Sequence, residues 1–252
     1  MRNIIVITKN TFKEAVRDRI LYGILAFALI YILSVLFLAK LSLGNLVMIR
    51  SFGLAGIYVF GALLTISLGS SIINKEIERR TLYFVLSKPV YRGEVIVGKF
   101  LGLLGAVAVT ITLMTVVYLG VVLYEKGGFD TSGLLAVLFE IMEMAFFVAI
   151  LIFLSTFTAP LTATICAVIV LFIGHLLNSA LQTAGQIGGA LFAVVKALYY
   201  VFPNLEKFNI RNLVVHQVTA SATDTLLTLL YATIYITLLL YLAVLIFEKR
   251  EL

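Results

Sequence analysis

GLLAVLFEIMEMAFFVAILIFLSTF, residues 133–157, is a 25-residue run whose charged side chains are Glu140 and Glu143 alone. As a helix it rises about 37 Å, more than the roughly 30 Å of a bilayer's hydrocarbon core. It is read as a membrane-crossing helix. Working outward, comparable apolar runs occupy 20–39, 52–73, 99–123, 160–178 and 225–247, each long enough to span. The whole chain has the same character: of 252 residues, 62% are hydrophobic and 13% charged, with a mean hydropathy of +1.12, far from a soluble domain. The expected fold is all-α, a single polytopic membrane domain over 1–252 with six transmembrane helices. Little chain is left for an ATPase, nuclease or kinase module, each of which needs about 100 residues or more outside the bilayer.

Residues 2–18 sort on a helical wheel. Ile4, Ile5, Phe12, Ala15 and Val16 share one arc, and Arg2, Lys9, Lys13, Glu14, Arg17 and Asp18 the other, the pattern of a helix lying in the membrane interface. The apolar run that follows carries no small-residue cleavage site, so an uncleaved first span is expected rather than a signal peptide. The net charge of +6 reflects topology rather than nucleic-acid binding. Five Lys/Arg precede the first span, six lie from Lys75 to Lys99 and two are Lys249 and Arg250, so 13 of 19 fall on one side of a six-span map. The positive-inside rule then puts both termini in the cytoplasm. Cys166 stands alone in an apolar run and forms no internal disulfide.

Two polar segments are longer than turns: 74–98 on the cytoplasmic side and 179–224 on the outer side, and function is expected to concentrate there. Within the outer segment, 187–202 is apolar apart from Lys196, a candidate re-entrant element if it does not cross. Gly93 to Phe100 fits G-x-x-x-x-G-K, the start of a phosphate-binding loop, but Phe100 stands where Ser/Thr would hold Mg²⁺ and no strand precedes it. Gly98, Gly102 and Gly105 read instead as a small face for close helix packing. Residues 74–89 interleave charge with Ile77, Leu82, Val85 and Leu86 and end in Ser-Lys-Pro. They read either as a solvated topology loop or as a short docking helix with an apolar anchor face and a charged rim.

Glu140 and Glu143 are spaced i, i+3 on one face of the fourth span, where lipid exposure would be costly. Two roles fit them: a hydrogen-bonded pair joining helices, or part of a translocation path. If that span runs inward from Gly133, Glu140 lies about 10 Å and Glu143 about 15 Å below the outer boundary. His175, three residues before the fifth run ends at 178, lies about 5 Å deep. These depths allow Glu140 and His175 to pair across adjacent helices without requiring it, and Glu143 is expected to face the central path. No metal-ligand spacing and no nucleophile elbow occurs, so no catalytic or metal-binding residue is assigned.

Four motifs together resemble one family: Lys9 to Arg19, Lys75 to Leu82 running on to Leu86-Ser87-Lys88-Pro89, Gly98-Lys99-Phe100-Leu101-Gly102, and Pro203 to Asn212. The chain resembles the type-2 ATP-binding-cassette (ABC) transporter permeases, in the branch similar to the nitrous-oxide-reductase maturation permease. The resemblance implies six helices per subunit, an interfacial N-terminal helix, a homodimer in the cell (inner or plasma) membrane, and two separate ATPase subunits that use ATP and Mg²⁺. No cofactor is then expected on this chain itself. It also implies a cytoplasmic coupling helix between spans two and three, with Glu76, Arg79, Arg80, Thr81, Leu82, Tyr83 and Lys88 at the ATPase contact. Short re-entrant elements between spans five and six are implied as well. The expected function is the permease subunit of an ABC transporter, in the exporter direction, without enzymatic activity of its own. The alternative is a proton-coupled secondary transporter using Glu140 and Glu143. An intramembrane hydrolase is a weaker third, lacking nucleophile and metal motifs.

Overall fold

The computed structural model describes residues 2–18, 20–41, 46–78, 91–125, 127–215 and 221–249. Among these residues the backbone is helical throughout, without strands: α1 (Arg2–Asp18), α2 (Ile20–Leu41), α3 (Leu46–Glu78), α4 (Arg92–Tyr124), α5 (Thr131–Ser155), α6 (Pro160–Ile187), α7 (Gly189–Val201), a 3₁₀ turn (Leu205–Phe208), α8 (Arg211–Val215) and α9 (Ala222–Lys249). Five stretches are long and apolar enough to cross a membrane: Leu46–Gly69, Arg92–Tyr124, Thr131–Ser155, Pro160–Ile187 and Thr223–Lys249. α2, apolar over 22 residues, has the length of a sixth. The chain is an all-α polytopic membrane protein.

Local chemistry sets several helix ends. Asp130 caps α5, its Oδ1 accepting from the Gly133 amide at 3.0 Å. Pro160 opens α6 at a position where no amide hydrogen bond is lost. Gly188 and Gly189, at φ +73° and +67°, stop α6 and turn the chain back so that α7 packs along it. The stretch 179–224 is therefore not a plain outer segment: its first nine residues extend α6 to Ile187, and α7, the 3₁₀ turn and α8 follow. Likewise 74–98 is shorter as a connection than its polarity suggests, since α3 runs on to Glu78 and α4 begins at Arg92. Glu76 lies in the last turn of α3. Arg79, Arg80, Thr81, Leu82, Tyr83 and Lys88 lie outside the described residues.

α5 is the central helix. It packs against α3, α4, α6, α8, α9 and the 3₁₀ turn, and Phe146, Phe147 and Val148 are fully buried on successive sides of it. The apolar surface left open lies on the surrounding helices, as at Leu25 and Leu29 of α2 or Leu161 and Ile165 of α6, which is what lipid contact requires.

α1 packs chiefly on α4, and the small face found in the sequence is where it docks. A Cβ at Gly98 would meet Ile7, one at Gly102 would sit 2.6 Å from Thr11 Cβ and 2.8 Å from the Thr8 carbonyl, and Gly105 lies against Phe12. The two helices thus advance in step and in the same direction. Ile5 and Val16 stay exposed, so the docking row is Ile7, Thr11 and Ala15 rather than the apolar arc as a whole. Gly102→Leu is expected to release α1 and lower stability by about 1–3 kcal/mol, because backbone as well as side chain blocks the added group. Accelerated proteolysis within residues 2–18, with an unchanged helical content elsewhere, is the check.

At the same end of the bundle, Asn3 Nδ2 donates to Glu94 Oε2 at 3.1 Å. Arg92 there donates to the Phe247 and Glu248 carbonyls at 2.7 and 3.0 Å. The first turn of α4 therefore gathers the beginning of α1 and the end of α9, as an even number of crossings requires. This is called the near end below, and the end carrying the 125–130 connection and the α6–α7 turn the far end.

Candidate functional site

The polar groups of the interior meet where the segment between α7 and α9 folds into the bundle. Leu205 and Phe208 are buried against Phe146, Ala167 and Ala232, anchoring the 3₁₀ turn among α5, α6 and α9. Gly174 makes the approach possible, since a Cβ there would meet Leu205 at 2.7 Å and the Pro203 carbonyl at 3.0 Å. Asn204 holds the turn's entry: its side chain accepts from the Glu206 amide at 3.1 Å and donates to Asn178 Oδ1 at 2.8 Å, while its own amide donates to the Tyr231 hydroxyl. Glu206 is thereby placed beside His175, the neighbour of Gly174.

His175 bridges two carboxylates. Nε2 is 2.7 Å from Glu143 Oε1 and Nδ1 is 3.0 Å from Glu206 Oε2. The Tyr58 hydroxyl of α3 donates to Glu143 Oε1 at 2.8 Å and lies 2.8 Å from His175 Nε2. Asn209 donates to the second oxygen of Glu206 at 3.0 Å and accepts from Arg211 Nε at 3.0 Å. The Arg211 guanidinium stacks 4.0 Å above the Tyr58 ring, and its Nε is 3.9 Å from Glu140 Oε1. One continuous polar network thus joins α3, α5, α6, the 3₁₀ turn and α8.

The pairing allowed by the sequence is corrected: His175 bonds Glu143, not Glu140. The cause is the length of α6. With that helix ending at Ile187 rather than at 178, His175 is twelve residues from the far end, about 18 Å. Glu143 is twelve residues from the start of α5 at Thr131, the same depth. Glu140 sits about one turn nearer the far end, opposite Arg211. Both carboxylates are buried, at 2% and 1% exposure. Among the described residues neither oxygen of Glu140 receives a hydrogen bond, and the compensating charge beside it is that of Arg211 at 3.9 Å.

Sequence reasoning singled out Glu140, Glu143 and His175 and missed Tyr58, Glu206, Asn209 and Arg211. Tyr58 is one tyrosine among many and carries no positional signal. The other three stand in the Pro203–Asn212 motif, whose charges within a partly apolar stretch mark a segment that is more than a linker. Next to the network, open to the surface at the far end, is a cavity of about 510 Å³ lined by Phe139, Glu206, Lys207, Asn209, Asp224 and Thr228 among others. Lys207 also reaches the Tyr231 ring at 4.4 Å. The volume is that of a site for a drug-sized molecule, and Glu206 belongs to both cavity wall and network.

A second polar cluster pins the far end. Asp130 Oδ2 accepts from the buried Tyr118 hydroxyl at 2.5 Å and lies 3.4 Å from Arg50 Nε, and Arg50 donates to the Gly127 carbonyl at 3.0 Å. These contacts clamp the start of α3 to the α4–α5 connection.

Gly93 to Phe100 lies inside the continuous helix α4, with Gly98 against Ile7, so the phosphate-loop resemblance is one of sequence only. No group of His, Cys, Asp and Glu suited to a metal ion occurs among the described residues. No curated protein matches the chain. The family model described as ABC-2 family transporter protein matches residues 5–252, and the chain, with its buried polar network inside a bundle of apolar helices, belongs to that family of membrane transporters.

Proposed function

We propose that this chain is the permease subunit of an ABC exporter in the inner or plasma membrane, working as a homodimer with two separate ATPase subunits, with both termini and the near end in the cytoplasm. The observation that carries the reading is the far-end cavity joined through Glu206 to a charged network on the central helix. A bundle built only for anchorage gains nothing from ionisable groups whose burial is costly, whereas a path that opens and closes needs contacts that can be exchanged. The 13 of 19 basic residues on the near side support the orientation. Membership of the family makes the secondary-transporter and hydrolase readings unnecessary, and ATP hydrolysis falls to the partner. α7, at 13 residues, rises about 20 Å, too short to cross, and serves as the re-entrant element of the outer side.

Coupling is assigned to 76–88. Leu82 and Tyr83 act as anchors, Glu76, Arg79, Arg80 and Lys88 as rim charges, and Thr81 lies between them. With a Walker-motif ATPase partner co-expressed, Leu82→Ala and Tyr83→Ala are each expected to weaken the complex by about 2 kcal/mol, about thirtyfold in Kd. Both should lower ATP-driven transport while leaving membrane insertion intact. Wild-type binding and transport in the double variant would remove this segment from the coupling mechanism.

A further inference from the structure

The contacts of His175 impose a proton count. A neutral imidazole has one N–H, yet both ring nitrogens stand within hydrogen-bond distance of carboxylate oxygens. The Tyr58 proton is already directed at Glu143. With a neutral ring and both carboxylates ionised, one ring nitrogen would face an oxygen lone pair to lone pair. The geometry closes only when the triad holds one more proton, on the ring or on a carboxyl group. Charge points the same way. Three carboxylates, Glu140, Glu143 and Glu206, are opposed among the network residues by Arg211 alone until that proton is added, and burial of uncompensated charge is expensive.

We propose that Glu206, His175 and Glu143 form a proton-binding site that loads from the far-end cavity, and that the bound proton fastens the 203–215 segment to the bundle. Glu206 is 35% exposed, His175 19% and Glu143 1%, so the three grade from the cavity into the core. When the proton leaves, two carboxylates share one neutral imidazole. The ionic tie between the 3₁₀ turn and α6 is then lost, leaving the Asn204–Asn178 hydrogen bond and the Leu205 packing, and the hold of the segment on the bundle is weakened. The groups that meet His175 are Glu143 from α5, Tyr58 from α3 and Glu206 from the 3₁₀ turn. Other ionisable groups of the surrounding elements are Glu140 from α5, Arg211 from α8, Lys207 from the 3₁₀ turn and Lys196 from α7, with Arg211 set against Glu140 and Tyr58. Lys207 and Lys196 are turned to the Tyr231 and Phe192 rings, so neither supplies the missing donor. That release opens the path rests on the permease reading above. The proton count does not.

The test uses the full chain reconstituted in lipid vesicles without any ATPase, so its failure is separate from failure of the coupling assignment. The sequence has two histidines, and His216→Asn leaves His175 as the single imidazole for ¹⁵N solid-state NMR. Expected is a ring protonated on both nitrogens, or singly protonated with a neutral carboxyl partner in the ¹³C spectrum, at neutral pH. In a Cys166→Ala background, Val214→Cys places a thiol at a buried position of α8. Its labelling rate, divided at each pH by that of the same thiol in the denatured chain to remove thiol ionisation, is expected to rise with pH by up to about tenfold per unit, the limit for one linked proton. Glu206→Gln, which offers the ring an amide instead of a charge, should flatten that dependence. A neutral ring between two ionised carboxylates at neutral pH overturns the proposal, and so does a labelling ratio to the denatured chain that is independent of pH with Glu206 intact.

Discussion

Arg211→Met is expected to destabilise the protein by about 3–5 kcal/mol, the cost of leaving a buried charge without its partner. The side chain does three things at once: it stacks on Tyr58, holds Asn209 and supplies the positive charge nearest Glu140. Methionine keeps part of the packing and none of the charge, so the loss falls mainly on Glu140, whose oxygens have no hydrogen bond to fall back on. Glu140→Gln in the same chain removes the orphaned charge and should restore at least about 1.5 kcal/mol, within the range of coupling found between residues in contact. Unfolding in mixed micelles over the four chains of the cycle gives the coupling energy. Additive losses would mean that the 3.9 Å approach is incidental and that Glu140 is compensated elsewhere. Because Glu140 is not the partner of His175, Glu140→Gln alone is expected to leave the His175 spectrum unchanged.

Asp130→Ala is expected to cost a similar amount, about 3–5 kcal/mol. It removes the α5 cap, the acceptor of the fully buried Tyr118 hydroxyl and the counter-charge of Arg50. Asp130→Asn keeps one side-chain oxygen, enough for the Gly133 cap, and sets an amide NH2 where the second oxygen met Tyr118 and Arg50, so it should recover only the cap's share, about 1 kcal/mol. The same unfolding measurement separates the two variants. If Asp130→Ala lies within about 1 kcal/mol of the unaltered protein, smaller than the cost of one lost buried hydrogen bond network, the clamp between α3 and the α4–α5 connection is not a determinant of stability.

How far the site could be read in advance is clearest at α6. Asn178, Ser179, Gln182 and Thr183 break the apolar run and read as the end of a span. In the fold Asn178 takes a hydrogen bond from Asn204 and the Thr183 hydroxyl donates to the Ser179 carbonyl of its own helix. Asn178 is met by another segment of the protein while Ser179, Gln182 and Thr183 lie on an exposed face of the same helix, and the helix continues until the two glycines at positive φ stop it. That extension of nine residues carried His175 from about 5 Å to about 18 Å below the far end, past the level of Glu140 to that of Glu143. The small face of α4 was legible as a packing surface, and its occupant, α1, was not, because a glycine row specifies closeness and says nothing of which helix comes close.

Length and hydropathy are sums over neighbouring residues, so the sequence by itself determined that this is an all-α membrane protein of about six crossings and that Glu140 and Glu143 must face protein or water. Hydrogen bonds extend over about 3 Å and join residues far apart in the chain, such as Tyr58, Glu143, His175 and Glu206. Their meeting depends on where α6 ends, on the chain reversal at Gly188 and Gly189, and on Gly174 admitting Leu205. Only the tertiary structure decided those, because a shift of one helical turn, about 5.4 Å, is invisible to an average over twenty residues and is enough to give a histidine a different partner.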